Sequence, residues 1–309
     1  MCCLFGLMDY RHTLPVKQKN QIISALAAAA EARGTDATGV AYNSGGKLRI
    51  YKRPIPGHQM RFRIPRDASV IIGHTRATTQ GTASRNSNNH PFEGHVPSGS
   101  FAFTHNGVLF NDQILRRDLH LPRTKIETDS YIGVQLIEQK GTLDFSSLGY
   151  VAEQVEGSFT FALLDDHNSV YLVKGDSPIC VYHYPTWGVY LYASTEAILK
   201  QALQRLRFSL GNPEEIPLDC GEILKISADG TMERGKFDDT RILRSWSPFP
   251  WRNILRPSRQ PDHVRELKDI APAFGYQPED VDELLGYGLS PWEIEDYFYD
   301  CQEVPGCVF

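Results

Sequence analysis

The stretch MCCLFGLMD, residues 1–9, carries the decisive reading. Cys2 to Met8 form an almost unbroken apolar run, as expected of a strand buried on both faces. A cysteine next to the initiator Met becomes the first residue once that Met is removed, and its own α-amine can then act as base for its thiol. An α-amine of pKa about 7.7–8.0 is roughly a tenth to a sixth free base at pH 7. Retaining Met1 would convert the amine to an amide and add a residue about 3.8 Å long at that place. On position alone Cys2 is either an apolar residue that opens a buried strand or a candidate nucleophile, and the rest of the chain has to decide.

Outward from that strand, VKQKNQIISALAAAAEAR (16–33) is rich in helix formers and stops at Gly34. A hairpin is expected over 38–52 around Ser44-Gly45-Gly46. SVIIGHTR (69–76) and SFAFTHNG (100–107) are apolar runs that end in polar turns, which places polar residues at strand ends, where sites are usually built. ETDSYIGVQLIEQ (127–139) predicts a helix that starts near Thr128, and SLGYVAEQV (147–155) a second. Strands GSFTFALLDD, SVYLVKGD and GVYLYAS follow, then a helix TEAILKQALQRL, then a hairpin with Asp229-Gly230 at its turn. This order predicts a layered α+β domain with mostly antiparallel pairing over residues 2–240. Beyond it, 241–309 reads as an extension: a Pro- and Trp-containing strap (244–261) and three short helices within 262–300.

The chain has 309 residues, 41% hydrophobic and 22% charged, enough for a sizeable core. A formal net charge of -5 and the lack of a basic run give no footprint for nucleic acid or a membrane surface. No apolar stretch approaches the roughly 18 residues of a membrane span, and Asp9 and Arg11 interrupt the N-terminus too early for a signal peptide. A cytoplasmic protein is expected. Cysteines lie at 2, 3, 180, 220, 301 and 307, with no metal-finger spacing; Cys180 and Cys220 read as small buried hydrophobes.

Amide cleavage needs a nucleophile, a base, an oxyanion hole and a grip on the substrate. The segments that could supply them are Cys2 with LFG after it, RGTDATG (33–39), GHTRATTQG (73–81), NNHPF (88–92), THNG (104–107) and ETDS (127–130), with GSFTFALLD (157–165) as a later match. In that order and spacing they resemble the class II glutamine amidotransferase family, the glutaminase domains of the N-terminal nucleophile hydrolases, over roughly residues 2–235. The resemblance implies a four-layer αββα sandwich with a short helical C-terminal extension, and L-glutamine as substrate. It implies that Arg76 holds the substrate α-carboxylate, where a planar guanidinium grips better than an ammonium. Asp129 would hold the α-ammonium. Asn106 and Gly107 would form the oxyanion hole, and Thr79 would join the same pocket. His74, His90 and His105 read as structural, because the α-amine already supplies the base. Three positions depart from the common family pattern: Cys3 for Gly, Ala77 for Trp and Gln80 for His. The last two bear on loop closure beside Arg76.

Family enzymes usually carry a synthase domain that consumes the ammonia, and about 70 residues after position 240 are too few for one. With no GxxxxGK[ST] loop and no dinucleotide fingerprint, no cofactor or metal is implied. The ammonia acceptor is expected on a separate synthase partner protein, with a free-standing glutaminase as the other possibility. Two further readings stay open: a catalytically silent binding protein of the same fold, and an amidohydrolase for another γ-glutamyl or acyl amide. The pairing of Arg76 with Asp129 speaks against substrates without a free amino-acid end.

Overall fold

Residues Cys3–Asp9 form strand β1, and its alternation accounts for the unbroken apolar run. Cys3, Phe5 and Leu7 enter one hydrophobic cluster, while Leu4 and Met8 enter another on the opposite face. The structure is a computed structural model and describes residues 2–245 and, further on, 264–265, 267–268, 271–287, 289, 291, 294 and 297–298. The chain divides into two compact units, Met1–Trp246 and Ser247–Phe309.

In the first unit β1 is followed by helix α1 (Val16–Ala29), a 3₁₀ turn Ala30–Arg33, and strands β2 (Ala37–Ser44), β3 (Lys47–Arg53) and β4 (Val70–Arg76). Next come β5 (Phe92–Val96), β6 (Gly99–Leu109), α2 (Asp112–Asp118), α3 (Tyr131–Lys140) and α4 (Phe145–Gln154). The last group is β7 (Gly157–Asp165), β8 (Val170–Lys174), β9 (Cys180–Tyr184), β10 (Val189–Ala193), α5 (Glu196–Gln204), β11 (Glu214–Glu215), β12 (Glu222–Ile226), β13 (Met232–Lys236) and α6 (Thr240–Ser245). The strands form two sheets, ordered β11-β9-β10-β1-β4-β2-β3 and β13-β12-β8-β7-β6-β5.

Three clusters stack these parts into four layers. Ile22, Leu26 and Ala29 of α1, with Leu199 and Ala202 of α5, pack on the first sheet through Phe5, Leu7 and Leu191. Leu4, Ile72, Ala102, Ala162 and Leu172 lie in the seam between the sheets. Phe103, Phe161 and Val173 of the second sheet meet Ile132 and Leu136 of α3 and Leu148 and Val151 of α4. The result is the expected αββα sandwich, with α+β content and antiparallel neighbours throughout the described ladders. A Cβ on Gly73, which pairs with Phe5, would come within 2.2 Å of the Phe5 ring, so a side chain at 73 would displace that ring from the core.

The structure differs from the sequence expectations in places. Helix α3 begins at Tyr131 and not near Thr128: residues 128–130 form the preceding turn, with N–H groups of Ile132 and Gly133 donating back to Asp129 and Ser130. Strands β5 and β9 and helix α2 were not expected. FEGHV carries Gly94 and a charged residue, and CVYHY is short, so neither shows a strong period.

The second unit has its own small core of Leu267, Ala271, Val281, Ile294 and Phe298, with the Tyr276 ring stacked on Phe298 at 4.7 Å. Helix α7 (Pro278–Gly286) falls where a short helix was expected, with Pro278 at its first position. The Trp-containing strap beyond Ser245, Trp292, Cys301 and Cys307 lie outside the described residues. Among the described residues no helix is long and apolar enough to cross a membrane.

Candidate active site

Strand β1 begins where β4 ends. The register pairs Cys3 with Thr75 and Leu4 with His74, so Cys2 falls one step further on, level with Arg76. On the other side of β4, Ala37 of β2 pairs with Arg76. The Cys2 side of this junction is closed to solvent, with Cys2 itself 8% exposed. Its thiol points to the Ala77 carbonyl at 3.5 Å, and its backbone carbonyl accepts from Arg33 Nε at 3.1 Å. Burial pushes the Cys2 thiol pKa up; the positive charge of Arg76 draws it back, and Asp129 adds to the rise. The thiol thus shares a field with both charged residues.

Arg76 is buried, and its fork is held by its own loop: Nη1 donates to Asn89 Oδ1 at 2.7 Å and Nη2 to the Gln80 carbonyl at 2.5 Å. A guanidinium has five N–H donors, so donors remain for a carboxylate. Burial lowers the Arg76 pKa, against the opposing pull of Cys2 and Asp129; a guanidinium nonetheless stays charged. Asp129 is buried too, and its Oδ2 accepts from the Leu109 N–H at 2.7 Å. Desolvation pushes its pKa up, while the backbone N–H groups of Leu109 and Ser130 and the charge of Arg76 restrain it.

Asn106 and Gly107 lie between two tethers. On one side His74 Nε2 donates to the His105 carbonyl at 2.9 Å; on the other Leu109 is tied to Asp129. Asn106 is fully buried, yet neither its Oδ1 nor its Nδ2 has a hydrogen-bond partner among the described residues. Buried polar groups without partners cost about 1–3 kcal/mol each, so such a group calls for an explanation. Gly107 has φ of 132°, and a Cβ there would sit 2.0 Å from the Ser158 carbonyl. Only glycine suits that backbone.

Thr79 is exposed on the loop after β4. Its neighbour Thr78 donates its N–H to Asp36 Oδ2 at 2.8 Å, and the buried Thr78 hydroxyl has no partner among the described residues. Cys3 is fully buried in the core under β1. Ala77 and Gln80 act here through backbone carbonyls, on the Cys2 thiol and on Arg76, so their unusual side chains leave these two contacts intact.

His74, His90 and His105 are buried nearby, with the His74 and His90 rings 4.1 Å apart. Burial lowers the pKa of His74 to about 3, that of His105 to about 4, and that of His90 well below its usual value. All three are neutral near pH 7. Sequence reasoning did not single out Arg33, Asp36, Asn89 or Glu127. Arg33 holds the Cys2 carbonyl, Asn89 holds Arg76, and Glu127 holds Asn88 Nδ2 at 2.8 Å. Each was in a quoted motif, so a signal existed. No group of metal-ligating side chains occurs among the described residues.

Residues 74–201 match a family model described as a glutamine amidotransferase domain. Curated relatives include the isomerizing glutamine–fructose-6-phosphate aminotransferases of Chlamydia muridarum, 31% identical over 66% of this chain and 34% of that protein, and of Halalkalibacterium halodurans, 32% identical over 79% and 44%. The chain therefore spans about a third to under a half of the length of these two. A solved glutamine phosphoribosylpyrophosphate amidotransferase from B. subtilis shares the fold, with a TM-score of 0.61 and 20% identity over 77% of this chain and 49% of that one.

Proposed function

The chain carries a class II glutamine amidotransferase domain, of the N-terminal nucleophile hydrolase type, and on that premise we propose that Cys2 cleaves the side-chain amide of L-glutamine to glutamate and ammonia. With Met1 removed, the α-amine of Cys2 takes the thiol proton as sulfur attacks the amide carbon. The oxyanion that forms is held by Asn106 Nδ2 and the Gly107 N–H, and Arg76 and Asp129 hold the α-carboxylate and α-ammonium. The tetrahedral adduct collapses, the C–N bond breaks, and ammonia leaves with the proton returned by the amine. Water then attacks the thioester, and glutamate departs as the thiol is restored. Thr78 and Thr79 stand on the loop that follows Arg76, and Thr79 serves as a rim contact to substrate.

The observation that carries this reading is the fully buried Asn106 amide, unpartnered among the described residues, between tethers that lead to Arg76 and Asp129. In our reading the ammonia goes to an acceptor outside residues 2–240, on a separate synthase protein, and residues 241–309 take no part in amide cleavage. The test is ammonia release from glutamine by protein whose intact mass shows loss of one Met. A Met-processed protein that releases none would refute it.

A further inference from the structure

Outside the residues assigned above, Lys52 is a half-buried cation with no role yet in the site. Lys52 stands on β3 opposite Gly39 of β2, and the backbone of residues 89–91 crosses this pair so closely that a Cβ on Gly39 would lie 2.1 Å from the His90 carbonyl. Lys52 Nζ donates to the carbonyls of Asn89 at 2.5 Å and Pro91 at 2.9 Å, on either side of His90. Its ammonium also lies 5.1 Å from the centre of the Phe92 ring. The Lys52 carbonyl accepts from Asn86 Nδ2 at 3.0 Å, so the segment is pinned to β3 at both ends.

Asn89 connects this clamp to the site. Its carbonyl is held by Lys52, its Oδ1 receives Arg76 Nη1 at 2.7 Å, and its Nδ2 donates to the Ala83 carbonyl at 2.8 Å. We propose that Lys52 is a positioning residue for the substrate-carboxylate grip: through Asn89 it fixes the fork of Arg76. The proposal rests on the glutaminase reading above. Lys52 touches no reacting atom, and its place beside a second cation opposes folding, so its two carbonyl bonds must offset both desolvation and repulsion.

The charged and titratable groups that face it are Arg76 from β4 and Glu93 from β5, with His74 and His90 buried close enough to feel its charge. Burial, then Arg76, lowers the Lys52 pKa to about 8, and Glu93 pulls the other way. Above that pH the charge-assisted bonds to Asn89 and Pro91 weaken.

The test compares Lys52→Met and Lys52→Arg with wild type, by ammonia release from glutamine and from 4-aminobutanamide, which lacks the α-carboxylate. Alkylation of Cys2 by iodoacetamide reports on the thiol alone. Lys52→Met should raise KM for glutamine about tenfold or more, since a misplacement of about 1 Å can cost 10²-fold, with kcat within a few-fold. Turnover of 4-aminobutanamide and alkylation should stay within about twofold of wild type, and Lys52→Arg should recover most of the glutamine KM. If Lys52→Met does not fold, wild type and Lys52→Arg decide: KM should climb above about pH 8 in wild type and less so in Lys52→Arg. An unchanged glutamine KM in Lys52→Met, equal losses on both substrates, or identical pH profiles would overturn the proposal. Wild-type protein that alkylates at Cys2 but releases no ammonia from glutamine would instead overturn the glutaminase reading.

Discussion

Asn106→Ala separates catalysis from stability more cleanly than any other change at this site. Truncating a buried Asn ordinarily orphans its partners, at about 1–3 kcal/mol each. Here neither amide atom has a partner among the described residues, so that cost does not arise. Removing an unsatisfied buried amide returns a desolvation penalty of the same order, against the cost of a small cavity beside Gly107. The two terms oppose, and the net change should fall within about 1 kcal/mol, roughly 2–4 °C in Tm for a domain of this size. The rate should respond quite differently. Loss of one oxyanion donor costs about 10²–10³ in kcat, or about 2.7–4 kcal/mol. Because the oxyanion exists only after attack, KM should barely move. Steady-state ammonia release over a range of glutamine, with a thermal melt of the same sample, measures both. A melt lowered by more than about 8 °C with kcat preserved would make Asn106 a structural residue. A change confined to KM would remove it from the oxyanion hole.

Arg76→Lys should raise KM for glutamine steeply, because an ammonium cannot hold Asn89, Gln80 and a carboxylate in the same plane; a KM within twofold of wild type would contradict that grip. Asp129→Asn should also raise KM, and it should raise Tm at neutral pH. Burial raises the Asp129 pKa, so its favourable contribution is complete below the unfolded value of about 3.9 and is lost as pH rises through the folded value; the Tm gap should therefore close on acidification, and a gap independent of pH would refute the cause. The buried histidines act in the opposite sense. Their pKa values are lowered, so their contribution is complete above about pH 6.5 and is lost as pH falls toward about 4, by up to about 1.4 kcal/mol per pH unit for each. Melts between pH 7 and pH 5 should decline progressively, and a flat profile would mean that these rings are not buried in neutral form.

The layered fold was legible because its signals are local. The run Cys3–Met8 is apolar on both faces since β1 lies under α1 and over the second sheet, and an alternating surface strand would have read differently. The 16–33 segment reads as one helix, and the chain tightens to a 3₁₀ turn only over its last four residues. Helix α3 was placed too early because Thr128 and Asp129 look like a cap, whereas Asp129 is turned toward the Leu109 N–H at the end of strand β6. That contact spans 20 residues, and no local pattern announces it. Asn89 stood in the NNHPF motif, but its bond to Arg76 is not local, and Lys52, whose partners are the backbone of a loop, lay in no motif. Candidate site residues can be found as motif letters; the residues that hold them are found only through register and loop packing.

Arg76 and Asp129 present an electrostatic problem that the proposed substrate resolves. Each is buried, and each is shifted toward its neutral form by desolvation. Yet each is committed elsewhere: the guanidinium to Asn89 and Gln80, the carboxylate to the Leu109 N–H. Two opposite charges, each tethered by its own loop and each feeling the other, keep capacity for external partners of the opposite sign. A free amino acid is a zwitterion and carries both partners on one carbon. Its carboxylate and ammonium would compensate both desolvated charges at once, and neither an acyl amide nor a simple amine can do so. Two separately tethered charges would thus select a free amino-acid end. In the proposed binding mode the side-chain amide would then point toward Cys2, which feels the fields of both.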